Sequence, residues 1–185
     1  MSTKVNQHLF TIDEYHRMID AGIFAEDDRV ELINGIIIEM NPIGKNHGGN
    51  VKRLNNLFGK KLPDIIVGVQ DPVQLNNLSE PQPDIALLKF RNDYYTNSHP
   101  KPDDVLLIIE VADSSLDYDR DEKMPQYADS QIVEVWIRNL VDDLLEVYRE
   151  PENGRYKNIV YMHRGQNIFP LAFPNLILTI DEILG

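Results

Sequence analysis

Cysteine is absent from the 185 residues, which excludes disulfide scaffolds, cysteine-built zinc modules and thiol nucleophiles. Long apolar runs are absent too. The longest, Val105 to Ile109, falls far short of the roughly 20 residues a membrane helix needs, so no membrane partner is expected. Met1 to Phe10 holds one lysine and no apolar stretch of about 7–15 residues, so a secretory leader is not expected and a cytoplasmic location is. Positive charge is scarce: 18 Lys and Arg stand against 30 Asp and Glu, and the net charge of −12 favours solubility and repels a polyanion at long range. Internal repeats, low-complexity segments and a Gly- or Pro-rich linker are missing as well. A single domain over 1–185 is therefore expected, with 1–10 as a loose N-terminal arm. At this length a folded chain buries roughly 70% of its surface, enough for one core without covalent staples. No Gly-x-Ser-x-Gly elbow, Walker loop or dinucleotide fingerprint occurs.

Local patterns are strong. Thr11-Ile12-Asp13-Glu14 has capping-box spacing and opens a short helix that Gly22 stops. Arg29 to Ile33 and Ile36 to Met40 flank Asn34-Gly35, which predicts a β-hairpin with a type I′ turn. Val51, Leu54, Leu57 and Phe58 give Asn46 to Lys61 one apolar helical face. Short strands are predicted over 65–69, 72–75 and 84–88, and the unbroken apolar stretch 105–111 reads as the central strand, covered on both faces. A helix over 117–129 must kink at Pro125 or begin there. Strands at 132–137, 144–148 and 156–161 form a meander, and Leu176 to Leu184 reads as a strand followed by a frayed helical turn. The expected fold class is α/β or α+β: a mixed central sheet flanked by helices, with an N-terminal hairpin and a C-terminal strand meander.

Three acids are predicted to lie against apolar surface. Alternation along 105–112 puts Glu110 on one face with Leu106, Ile108 and Ala112. Such a carboxylate takes up a proton or needs a cation or strong donors. Asp84 follows Pro81-Gln82-Pro83 where a loop enters a strand, and if the two strands are neighbours both carboxylates can converge on one hard divalent cation. The hairpin register pairs Glu31 with Ile38 and puts it on a face with three isoleucines. Lys123 lies thirteen positions beyond Glu110 and could polarise or deprotonate a water there.

These residues carry a resemblance. Pro83-Asp84 opening a strand, Ile109-Glu110-Val111-Ala112-Asp113-Ser114-Ser115-Leu116, Tyr118-Asp119-Arg120 with Lys123, Tyr127-Ala128, Val133-Glu134-Val135-Trp136-Ile137 and the earlier Val30-Glu31-Leu32-Ile33-Asn34-Gly35 together resemble the Uma2 family of the PD-(D/E)XK nuclease superfamily, over residues 11–181. The resemblance implies a restriction-endonuclease-like core and metal-dependent endonuclease activity on nucleic-acid phosphodiesters, with Mg²⁺ as cofactor and Mn²⁺ as substitute. It implies that Asp84, Glu110 and the Val111 carbonyl hold the metal. Lys123 stands in for the lysine that the superfamily carries two positions after the second acid, where this chain has Ala112. Glu31 is expected to assist in catalysis. Asn139 departs from the aspartate expected after the tryptophan strand, which bears on a local turn and not on the site.

Simpler readings stand beside these. Asp84 and Glu110 could be a capped strand start plus a structural buried ion pair with an arginine or lysine, Lys123 could make a helical surface pair with Asp119, and Glu31 could reach the sheet edge. From Asn41 to Pro63 five cations occur with no acid, so Lys45, His47, Lys52 and Arg53 are candidates for nucleic-acid contact, DNA being the expected partner, against an ordinary solvated helix face. Trp136 reads as core rather than as a base-stacking platform. His8, His16, His99 and His163 lack paired metal-ligand spacing and are assigned no role. The competing function is a catalytically silent binding or interaction module that keeps the nuclease fold, as a homodimer.

Overall fold

The computed structural model describes residues 7–25 and 27–185; of the arm expected over 1–10, residues 1–6 lie outside the described residues. Phe10, at the arm's end, is already fixed, its N–H donating to the Gly35 carbonyl at 2.8 Å. Thr11 caps α1 (Ile12–Asp20) as its spacing predicts: Thr11 Oγ1 accepts the Glu14 N–H, and Glu14 Oε2 accepts the Thr11 N–H at 2.9 Å. In the hairpin β1 (Val30–Ile33) and β2 (Ile36–Glu39), Asn34 and Gly35 take φ of 51° and 74°, and Ile33 faces Ile36 while Glu31 faces Ile38. α1 packs on this hairpin through Ile12, Tyr15 and Leu32.

α2 (Lys45–Lys61) precedes a six-stranded sheet ordered β3 (Ile66–Gly68), β4 (Ile85–Leu88), β5 (Val105–Ala112), β6 (Glu134–Asn139), β7 (Leu144–Glu152) and β8 (Arg155–Met162). β5 and β6 are parallel and the other neighbours antiparallel, so the sheet is mixed. The parallel pair needs a crossover. It is supplied by α3 (Leu116–Tyr118), a π turn over Asp119–Lys123 and α4 (Met124–Asp129). β9 (Asn167–Ile168) and β10 (Leu178–Thr179) form a separate two-stranded ribbon, and α5 (Ile180–Leu184) ends the chain.

Two apolar layers sandwich the sheet. Val51, Leu54 and Phe58 of α2 and Ile180, Ile183 and Leu184 of α5 meet Leu107, Ile109, Val111 and Trp136 on one face. Met124, Tyr127 and Ala128 of α4 meet Ile108, Ala112 and Ile137 on the other. β5 is central and buried on both sides, as its composition requires, and Trp136 is a core residue with its ring centroid 6.3 Å from that of Phe58. Each of these fully buried large side chains contributes about 1.5–3 kcal/mol of hydrophobic stabilisation before entropy is counted. Among the described residues no helix is long and apolar enough to cross a membrane.

The structure corrects three expectations and selects between two placements of Pro125. Pro72 to Leu75 is not a sheet strand: Val73 and Gln74 donate to the carbonyls of Pro81 and Pro100, and prolines have no N–H with which to complete a ladder. Alternation along β5 breaks at a bulge. Leu87 faces Leu107 while Leu88 faces Val105, so Leu106 is an inserted residue that packs with the α2 layer instead of beside Ile108. Pro125 takes a first-turn position of α4, one of the two placements that its missing N–H allows, and the turn before it widens to π. The C-terminal turn is not frayed, because Thr179 and Glu182 form a second capping box and three of its side chains are buried.

Candidate active site

A cleft of about 410 Å³ opens where the hairpin, the start of α2, the C-terminal end of β5 and the crossover helix meet. Glu31, His47, Asp84, Glu110, Asp119 and Lys123 all line it. Alternation on β5 is what delivers Glu110 here. It points to the face of Ile108 and Ala112, the face that the crossover helix covers, and is 2% exposed. Asp84 arrives from the neighbouring strand, one residue before β4, where Ile85 faces Ile109.

The two acids interlock through the backbone. The Asp84 N–H donates to Glu110 Oε2 at 3.2 Å, and the Val111 N–H donates to Asp84 Oδ2 at 2.9 Å. Asp84 also accepts from Gln70 Nε2 at 3.0 Å, and His47 Nε2 lies 3.0 Å from its Oδ2. Burial opposes charge on Asp84, yet His47, the Val111 amide and Gln70 hold its carboxyl below the usual range. The same hydrogen bond, against burial, raises the His47 imidazole.

Lys123 is the bridge. Its Nζ lies 3.3 Å from Glu110 Oε1 and 3.3 Å from Glu31 Oε2, with Lys123 5% exposed and Glu31 fully buried. Glu31 stands opposite Ile38, as the hairpin register predicts, and its carboxylate is met by the Tyr118 hydroxyl at 3.0 Å and the Gln82 N–H at 2.9 Å. Tyr127 donates to Glu110 Oε1 at 2.6 Å. Burial nevertheless pushes Glu110 up to about 8, against the pull of Lys123, and pushes Asp119 up to about 6. Burial works against charge on Lys123 as well, but Glu110, Glu31, Asp119 and Asp84 hold its ammonium well above its ordinary value.

The site therefore gathers Asp84, Glu110, Glu31 and Lys123, the sequence-predicted catalytic set, together with the Val111 peptide. No arginine pairs with these acids among the described residues. The basic segment divides. Lys45 and Lys52 are exposed on α2, His47 turns into the cleft onto Asp84, and Arg53 is committed elsewhere, donating to Asn50 and to the carbonyls of Ile183 and Leu184 at the end of α5. Arg53 thus caps the last helix, where unpaired carbonyls attract a cation.

Several cleft residues carried no assigned role in the sequence. Asp119 reads as the exposed partner of Lys123 at helical spacing, but the π turn buries both, with Asp119 Oδ2 accepting from Ser115 Oγ at 2.8 Å. Tyr118, Tyr127, Gln70 and Gln82 act as donors to the acids, and no spacing rule identifies which helix face or loop turns inward. Asn139 supports its turn, Oδ1 accepting from Val141 N and Asp142 N at 2.9 Å. Its Nδ2 donates to the buried Glu146 at 2.8 Å, which an aspartate could not do.

The donors around Lys123 are mainly carboxylate oxygens, the ligand type that a hard divalent cation takes. Among the described residues that line the cleft around Lys123, the carboxyls of Glu31, Asp84, Glu110 and Asp119 face one ammonium and one imidazole, and His47 Nδ1 is buried without a hydrogen-bond partner. Such an excess of buried acid is relieved by protons or by a cation with oxygen ligands.

Comparison with known proteins agrees with this architecture. The Uma2 family, described as "Putative restriction endonuclease", matches residues 12–181. A crystal structure from Anabaena variabilis, described as "a putative nuclease belonging to DUF820", superposes with a TM-score of 0.71 over 95% of this chain and 97% of that one at 14% identity, which shows a shared fold. No curated protein matches the chain.

Proposed function

We propose, because this chain belongs to the Uma2 family, that its cleft cleaves phosphodiester bonds of nucleic acid, DNA in the first place, as a Mg²⁺-dependent endonuclease in which Mn²⁺ can substitute. The observation that carries this reading is the convergence of Glu110 and Glu31 on a single buried lysine, with Asp84 locked to Glu110 through its backbone N–H. Asp84, Glu110 and the Val111 carbonyl would hold the ion. A divalent cation bound there supplies positive charge that stabilises the developing phosphoryl oxyanion and lowers the pKa of water. The protein's own groups set the geometry. His47 and Gln70 fix Asp84, Tyr127 fixes Glu110, and Tyr118 with the Gln82 amide fixes Glu31, which in turn orients the lysine. Lys123, its ammonium 3.3 Å from both Glu110 and Glu31, would act as a charged donor that positions the attacking water and the phosphate. It reaches Glu110 from the crossover helix, while Ala112 occupies the strand position at which the superfamily places its lysine.

The test is cleavage of supercoiled plasmid with EDTA, Mg²⁺ or Mn²⁺. Wild type should cut only with a divalent ion. Asp84→Asn and Glu110→Gln should reduce the rate at least about 10²-fold, and Lys123→Met should lower kcat by about 10²- to 10³-fold. Equal cleavage by all four proteins, or cleavage undiminished by EDTA, would refute the assignment.

A further inference from the structure

A second group of metal-ligating side chains lies outside the cleft, and none of them has a part in the reaction proposed above. His16 on α1, Glu80 in the segment that leads to β4 and His99 in the loop before β5 each offer one ligand atom, and these atoms all lie within 4.8 Å of one another. They line a hollow of about 300 Å³ with Tyr15, Pro72 and Gln82. The residues are 64 and 19 positions apart in sequence, which is why spacing along the chain gave no sign of them.

Glu80 is the informative member. It is 3% exposed, and its backbone N–H donates to the Leu32 carbonyl at 2.7 Å, fixing it beside β1. His16 Nε2 lies 2.8 Å from its Oε1, but its Oε2 is buried with no hydrogen-bond partner among the described residues. A buried carboxylate oxygen without a donor costs free energy, so a plain His16–Glu80 ion pair accounts for only half of the group. It also leaves unexplained why the His99 ring stands edge-on to that of His16, with centroids 5.9 Å apart. The His99 backbone is held by its neighbour, since the Pro100 carbonyl accepts from Gln74 N at 2.9 Å, so the ring is presented from a fixed point.

We propose that His16, Glu80 and His99 form a binding site for a divalent transition-metal ion of the Zn²⁺ type. Two imidazoles and one carboxylate are a standard donor set for that class, whereas the oxygen-rich cleft suits Mg²⁺ or Mn²⁺, so the two sites differ in the ion they select. Ligand bonds of about 2.0–2.2 Å set donor atoms about 3.3 Å apart around a tetrahedral ion, within reach of small side-chain rotations from the observed positions. The ion ties α1 and the loop before β5 to the segment that carries Glu80. Two residues further on, Gln82 holds Glu31 through its N–H and Val30 through its side chain, which links this site to the wall of the cleft.

The experiment is calorimetric titration of Zn²⁺ into the full chain after EDTA treatment, with Co²⁺ absorption as a second readout. The variants are His99→Ala, Glu80→Gln, and Asp84→Asn combined with Glu110→Gln. One equivalent of Zn²⁺ should bind wild type and the cleft double variant alike. Affinity should fall about 100-fold or more in His99→Ala and Glu80→Gln, and the visible absorption of four-coordinate, nitrogen-ligated Co²⁺ should vanish with it. His99→Ala keeps the Glu80 contacts, so its circular dichroism melt separates a lost ligand from a lost fold. The proposal is overturned if wild type binds no Zn²⁺, if folded His99→Ala binds it as tightly as wild type, or if the cleft double variant alone loses it. None of these outcomes depends on nuclease activity.

Discussion

Glu110 carries an electrostatic load that a pH series can read directly. Its folded-state value of about 8 exceeds the ordinary 4.5, so across that window the native protein keeps a proton that the unfolded chain has released. Stability from this group is therefore complete below the ordinary value and is lost as pH rises toward 8. Lys123, held well above its own ordinary value, stays charged throughout the window and adds no slope there. Glu110→Gln cannot ionise, so in EDTA the variant should gain on wild type between about pH 5 and pH 8 in urea unfolding. Parallel curves for the two proteins would count against the burial argument. The candidate acids were legible in the sequence because an acid at an apolar strand position is costly wherever the strand packs. Their helpers were not: Tyr118, Tyr127 and Gln70 look like ordinary polar residues until the fold directs each to an acid. Helical spacing allows Asp119 to sit beside Lys123 on a surface, whereas the π turn carries both inward.

Among the elements, the hairpin that carries Glu31 is the most exposed to perturbation. Gly35 has φ of +74°, and a Cβ there would lie 2.6 Å from that of Leu9. Gly35→Ala should therefore cost more than about 1 kcal/mol and lower Tm by at least about 2–4 °C. Gly49, with open space around its Cβ position on the exposed face of α2, should do the reverse: Gly49→Ala should raise stability by about 0.5–1 kcal/mol. Thermal melts of the two variants that moved in the same direction would contradict this account. Elements of this kind are legible where one dipeptide or one cap decides the geometry, as Asn34-Gly35 and Thr11 do. They are illegible where distant chain decides it. The bulge at Leu106 depends on β4, and the irregular path of Pro72 to Leu75 depends on prolines at 81 and 100.

For the whole molecule, the sheet order and the position of the crossover bring Asp84, Glu110 and Lys123 together across 39 positions of sequence, and nothing local specifies that meeting. The net charge of −12 opposes a polyanionic substrate, so binding should rest on local cations and depend steeply on salt. Lys45→Glu with Lys52→Glu should weaken DNA binding for every sequence tested and reduce the slope of log K against log salt by about 1 per lost phosphate contact. An unchanged slope in a fluorescence anisotropy titration would remove α2 from the interface. The central claim is that the cleft acids trap a hard divalent ion, and calorimetric titration of Mn²⁺ into the EDTA-treated protein tests it most directly. Wild type and His99→Ala should each show one site, weakened about tenfold or more in Asp84→Asn and in Glu110→Gln. Mn²⁺ binding that is absent from wild type, or untouched by either cleft substitution, would contradict the account.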